Sequence, residues 1–288
     1  MTTKSYLTLL SLSVMTIFAS CNEKNKKGES QETHETEIVV KAPTYSTEDP
    51  SSMLASIAYA HGGWDDLWNK KDVQYSYDYR SANGKADVST ERYIFTTETS
   101  FGYYTQHDIN AMPGTEGEVM QYYDGKATIA TLAGKTIEDP QAIGGSDFLR
   151  RANYFWFLMP YKLTDQGTVL KYLGKEEYNG TSYDKLEVTY DPAITGKEQN
   201  DIYILYVNPT TKMIDRFYFS LPFLGINVPA IIANYQYEDI DGQKIATKRT
   251  YFLPNEKGEY SEAPSLVQTL TNIKFNNGFT PENIMTMN

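Results

Sequence analysis

From Asp72 onward the chain alternates. Val73, Tyr75, Tyr77 and Tyr79 fall on one side and Gln74, Ser76 and Asp78 on the other, the period-two signature of a half-buried strand. Similar runs, rich in β-branched and aromatic residues, recur to the C-terminus, with turn signals at Asn83-Gly84, Asp124-Gly125, Asn179-Gly180 and Asp241-Gly242. The pattern predicts an antiparallel meander with strands near 72–80, 87–97, 100–109, 117–123, 126–132, 168–178, 182–190, 201–207, 212–220, 231–239, 243–253 and 265–275. A flat open sheet does not hold so many strands. The expectation is a mainly β fold, a curved antiparallel sheet or incomplete β-barrel of about 11–12 strands, with two or three helices covering its concave face.

Two stretches follow a helical period instead. Ser51 to His61 places Met53, Leu54, Ile57 and Ala58 on one face ahead of a Gly62-Gly63 stop, and Trp64 and Trp68 read as packing residues in a short turn after it. Within Gly144 to Leu163, Phe148, Ala152, Phe155 and Met159 repeat at helical spacing, with Leu149 and Trp156 beside them and Arg150, Arg151 and Asn153 opposite. This predicts a helix over 146–159, ended by Pro160. Its last turn has no polar side, so it is either covered on more than one face or itself covers something, as a lid does. Leu221 to Ile232, LPFLGINVPAII, is apolar nearly throughout, yet Pro222, Gly225 and Pro229 argue against a regular strand. It reads as a loop, folded under the sheet or exposed at a cavity mouth. Phe148, Phe155, Trp156 and Met159 of the helix, with Leu221, Phe223 and Leu224 of the loop, form the candidate ligand site.

Charge narrows the partners. With 26 basic and 37 acidic residues the net charge is −11, which repels phosphate backbones and anionic headgroups. Nucleic acid is therefore not an expected partner, and any membrane contact of the domain has to be apolar. The 24 tyrosines favour strands and half-buried surfaces.

The single cysteine is informative by position. Met1 to Ser20 carries one early charge, Lys4, then an apolar run from Tyr6 to Phe18 and the small residues Ala19 and Ser20 before Cys21, as a secretory leader does. The Phe-Ala-Ser-Cys ending resembles the lipobox of bacterial lipoproteins, with Phe18 where that pattern usually has Leu; the resemblance implies that Cys21 is lipidated and becomes the N-terminus. The expected organisation is a signal peptide at 1–20, a lipidated flexible tether at 21–50 that is polar and has no aromatic residue before Tyr45, and one domain at 51–288.

Tyr172 to Val188, Ile202 to Asp215 and Tyr235 to Thr247 resemble the repeating hairpins of the outer-membrane lipoprotein-sorting superfamily, LolA/LolB-like proteins. The resemblance implies an incomplete β-barrel holding acyl chains in an apolar cavity closed by helices, and a lipid-anchored place in the bacterial envelope, with the outer membrane as default since Asn22 is not the aspartate of an inner-membrane retention signal. It extends in pattern from Asp72 to Phe275. No position matches the sorting factors' functional arginine, so that mechanism does not carry over.

Catalytic patterns are poor. Ser182 and Lys185 have the spacing of a serine–lysine nucleophile pair, but on a strand residues three apart face opposite ways. Gly62-Gly63 separates His61 from Asp65 and Asp66 as metal ligands, His107-Asp108 reads as a surface pair, and Asp239 to Gly242 reads as a hairpin turn, since Lys248 stands where a calcium loop needs Glu. The expectation is a non-catalytic envelope lipoprotein without cofactor or metal, binding an apolar ligand such as a lipid or acyl chain. The alternatives are a protein–protein interaction module whose barrel is filled by its own side chains and, more remotely, a hydrolase.

Overall fold

The computed structural model describes residues 41–287, and the leader, Cys21 and most of the expected tether lie outside them. In chain order the elements are α1 (Pro50–Ala60), α2 (Trp64–Asn69), β1 (Asp72–Ser81), β2 (Ala86–Ile94), β3 (Thr99–His107), β4 (Val119–Tyr123), β5 (Thr128–Leu132), β6 (Lys135–Thr136), α3 (Pro140–Lys162), β7 (Thr168–Tyr178), β8 (Thr181–Tyr190), α4 (Pro192–Thr195), β9 (Tyr203–Val207), β10 (Ile214–Leu221), β11 (Ile226–Ile240), β12 (Gln243–Phe252) and β13 (Leu266–Phe275).

The strands form one curved, unclosed antiparallel sheet of thirteen, ordered β6-β5-β4-β3-β2-β1-β13-β12-β11-β10-β9-β8-β7. Each strand neighbours its successor in sequence, except β6. The first and last strands pair at the centre, Val73 opposite Phe275, and α3 carries the chain from edge strand β6 to the opposite edge, β7. At about 1.5 Å per residue, its 23 residues give α3 a length of about 34 Å, enough to cross the concave face. The expected hairpin chemistry is present. Asn179-Gly180 and Asp241-Gly242 both take positive φ, as the tightest two-residue turns require.

Four features differ from the sequence reading. A short strand, β6, adds to the twelve expected, and four helices replace two or three. Helix α3 starts at Pro140, where Asp139 caps it by accepting the Ala142 N–H at 2.8 Å, and it runs through Pro160 to Lys162. Pro160 removes one N–H near the end of the helix, and the last turn closes all the same, with the Leu163 N–H bonded to the Met159 carbonyl. The stretch from Leu221 is a loop only as far as Gly225. From Ile226 it is strand, and Pro229 sits where the β10–β11 register is interrupted, so no ladder hydrogen bond is lost. Finally, Arg150 and Asn153, placed on a polar helix face by their spacing, are buried, and so is His107, whose ring lies against the Met112 and Gly117 carbonyls.

Under α3 the sheet is packed by its own side chains. Tyr75 stacks on Phe157 at 5.1 Å and 12°, and Trp156 on Phe217 at 5.8 Å and 20°. On the outer face the C-terminal residues 276–287 form a strap. The buried Asp72 carboxylate accepts N–H groups from Asn277, Gly278 and Phe279, and Arg92 donates to the Ile284 and Thr286 carbonyls at 2.7 Å each.

Candidate functional site

The first three turns of α3 lie between two features of opposite character. On one side, helix residues Ala142, Gly145 and Ser146 face Gln121 of β4, Leu132 of β5, Ile137 and the β3–β4 connection at Asn110, Met112, Pro113 and Thr115. Together they line a cavity of about 420 Å³, within the range that holds one small molecule. Its walls are mainly apolar, and its polar floor is already committed: Gln121 Nε2 donates to Ser146 Oγ at 3.0 Å and Ser146 Oγ donates to the Ala142 carbonyl at 2.9 Å. A guest would find dispersion contacts and few free polar partners.

On the other side of α3 the turn from β10 into the first residues of β11 makes an apolar lip. Phe223, Leu224 and Val228 are 57%, 62% and 64% exposed, unusual for large apolar residues side by side. Phe223 stacks face to face on Phe148 of α3, with ring centroids 3.9 Å apart and planes 3° apart. The lip is therefore in contact with the helix that roofs the cavity.

Beneath these turns a buried ion pair holds α3 to the sheet. Arg150 donates two bonds to the Glu91 carboxylate, at 2.7 and 3.1 Å, and others to Gln121 and to the Tyr104 hydroxyl. Ser89 and Tyr93 donate to the same carboxylate. Burial works against the charge on Arg150, but Glu91 outweighs it and the guanidinium is held more firmly protonated than usual. Gly102 permits this approach, since a Cβ there would overlap the guanidinium. At the edge of the same region, burial raises the Asp87 carboxyl above its usual value, offset in part by the N–H groups of Ile109 and Asn110 that it accepts.

The residues chosen from sequence divide between these places. The structure brings Phe148 and Phe223 together, with Leu221 half-buried and Leu224 exposed beside them. Phe155 and Trp156 are half-buried, stacked or edge-on against Tyr203, Phe217 and Phe219 of the sheet. Met159 is fully buried in one core cluster with Met53, Leu54 and Ile57 of α1, so it faces no cavity. The cavity side of α3 went unnoticed in the sequence. The signal for it was Gly144-Gly145, two residues without side chains near the start of an amphipathic run. Neither of the catalytic spacings assembles a site. Lys185 binds Glu176 at 2.7 Å, and His61 is buried with Nδ1 donating to the Ile57 carbonyl at 2.7 Å. Among the described residues no group of three or more His, Cys, Asp or Glu side chains is placed to hold a metal ion.

Comparison with known proteins fits the architecture. The fold is similar to that of an outer membrane lipoprotein-sorting protein domain from Vibrio parahaemolyticus, with a TM-score of 0.50 and 12% identity over 82% of this chain and 96% of that one. A DUF1329 family protein from Desulfovibrio piger matches at a TM-score of 0.47 and 15% identity over 81% and 95% of the two chains. A LolA superfamily protein from Nitrosomonas europaea matches at 0.46 and 16% over 77% and 97%. At such identities the likeness is one of fold, the curved and unclosed sheet of the lipoprotein-sorting domain. No curated protein matches the sequence significantly. A family model of unknown function, DUF6503, matches residues 62–225, a stretch that includes the cavity, the buried ion pair and most of the lip, and the chain belongs to that family.

Proposed function

We propose that this domain binds one apolar chain, such as the acyl chain of a lipid or lipoprotein, in the cavity beneath the first turns of α3, and that it does so without catalysis. The observation that carries the reading is the apolar-walled space of about 420 Å³ closed on one side by a helix that crosses an otherwise filled sheet. Affinity comes from apolar burial, at about 0.8 kcal/mol per methylene. The fold it shares with a lipoprotein-sorting domain supports the reading, as does the expected export and lipidation at Cys21, which would place the domain in the bacterial envelope, at the outer membrane, on a tether shorter than the expected 21–50, since Tyr45 already packs on the domain and donates to Asp184 at 3.0 Å. A second reading is favoured by one observation. At the middle of the concave face, among Trp156, Phe157, Tyr235 and Arg249, the free space is about 10 Å³, room for one water, so that part of the half-barrel is filled by its own side chains as an interaction module would be.

Two neighbouring glycines separate the readings. Gly145 lines the cavity and Gly144 does not, and a Cβ at either meets nothing within 4 Å. Leucine at either position should stabilise the helix by about 1 kcal/mol. Gly145→Leu also fills the cavity. In native mass spectrometry after incubation with an envelope lipid extract, the wild type and Gly144→Leu are expected to carry a lipid-mass adduct and Gly145→Leu to lose it. A wild type that stays ligand-free would leave the interaction module as the reading.

A further inference from the structure

The lip is the least polar exposed part of the described domain. From Phe217 to Tyr237 the chain runs twenty-one residues without a charged side chain, although 22% of the whole chain is charged. Most of this run is ordinary strand, but its turn carries Phe223, Leu224 and Val228 outward, and Tyr260 of the β12–β13 connection braces it by donating to the Ala230 carbonyl at 2.7 Å. Leu253 and Tyr260 are also exposed. The strand register places this turn at the same end of the sheet as the cavity. Leu221 lies opposite Ile226, Ile232 opposite Phe252 and Tyr251 opposite Leu266. The line continues through Ser81 opposite Leu266, Arg80 opposite Ala86 and Asp87 opposite His107, where the connection that walls the cavity begins.

We infer that this lip docks on a neutral lipid surface, inserting Phe223, Leu224 and Val228 below the headgroups at the end of the domain where the cavity lies. The inference rests on the proposed acyl-chain binding for its purpose, since such a chain has to come from a lipid phase. Its physical support is separate. Three apolar tips on a turn and the first residues of β11, where the unpaired backbone is broken by Pro229, which has no N–H to offer an added strand, suit a fluid apolar phase, which accepts them without shape matching. The stretch brings no charge that would have to be dehydrated. The flanking connection contains Glu256, Glu259 and Glu262 against Lys257, and the whole chain carries −11, so anionic headgroups are repelled and a zwitterionic surface is the one that fits. Because Phe223 is stacked on Phe148, insertion of the lip would separate it from α3 and loosen the roof of the cavity at the place where cargo is exchanged.

The test uses the chain from Asn22 to Asn288, which retains every described residue and has no cysteine to carry a lipid. Flotation with phosphatidylcholine vesicles is expected to carry the wild type. The double substitution Phe223→Ser, Leu224→Ser should weaken partitioning about tenfold or more. Ile129→Ser, which removes a large apolar residue of β5 that is 50% exposed, should leave it unchanged. Binding should persist at about 0.5 M salt and weaken when phosphatidylglycerol is mixed in. A wild type that does not float, a double variant that floats as well as the wild type, or binding that requires anionic lipid and disappears in salt would each overturn the inference. Should the double variant lose its cooperative melt, Val228→Ser alone is read in its place. Gly145→Leu keeps the two proposals apart: it should lose the lipid-mass adduct and still float. An adduct without flotation overturns the docking surface alone, and flotation without an adduct overturns the cavity reading alone.

Discussion

Arg150→Ala is expected to cost the domain about 3–5 kcal/mol, because it leaves the Glu91 carboxylate buried without its counter-charge. Both side chains have zero exposure, and the pair is joined by two charge-assisted bonds. Urea denaturation is the measurement. The midpoint should fall while the slope with denaturant stays close to that of the wild type, as for a loss of stability without a change in the surface exposed on unfolding. The sharper expectation concerns the double variant Glu91→Leu, Arg150→Met, which removes both charges and keeps apolar volume. It should be more stable than either single variant, since an ion pair taken out of water repays little of its desolvation. It should not recover everything, because Ser89, Tyr93 and Gln121 lose partners. Gly102→Ala, which presses on the same guanidinium, should destabilise by about 1–3 kcal/mol. An Arg150→Ala protein within about 1 kcal/mol of wild type would mean that α3 does not depend on this pair.

The second large effect is a dependence on pH set by His61. Its ring is fully buried at the end of α1, Nδ1 donates to the Ile57 carbonyl, and Nε2 has no hydrogen-bond partner among the described residues. Burial pushes its pKa down from the ordinary 6.5 to about 4, only partly opposed by the bond to Ile57. Between those two values the unfolded chain binds a proton that the folded protein does not, so stability rises with pH through that window and is lost as pH falls from about 6.5 towards 4. The loss by pH 4 is about 3 kcal/mol. Urea melts at a series of pH values should show it as a difference between wild type and His61→Gln. The variant is less stable near neutrality but flatter on acidification, and the comparison removes the carboxylates, which titrate in both. Parallel pH profiles would show that water reaches the ring and that it is not held neutral.

The strands were legible because alternation and turn chemistry are local. Tyr75 and Tyr77 point inward as their spacing requires, and two of the three hairpins with a residue at positive φ before glycine are where Asn-Gly and Asp-Gly stand, the third being Ala133-Gly134 between β5 and β6. The lip was half legible. A run without polar alternation signals an unusual environment, but only the positions of β10, β11 and α3 decide that Phe223 and Leu224 face outward while Leu221 is half covered. Beyond reach from sequence were the contacts made across long separations. Arg150 looks like the polar face of a helix until Glu91, 59 residues earlier, turns out to lie beneath it. His107 looks like half of a surface pair until the β3–β4 connection folds back over its ring.

Taken by itself the sequence determined the mainly β class, the number of strands to within one, the approximate place of α1 and α3, and the chemistry of the turns. Each of these depends on the period of side chains along a few residues or on a backbone angle that one or two residue types permit. The tertiary structure alone decided that α3 joins the two free edges of the sheet, that its first turns close a cavity while its last turns are sealed against α1, and that a charged helix face is buried. Those outcomes depend on what a side chain meets after the chain has crossed the sheet, and the periodicity of a single segment carries no information about its partner.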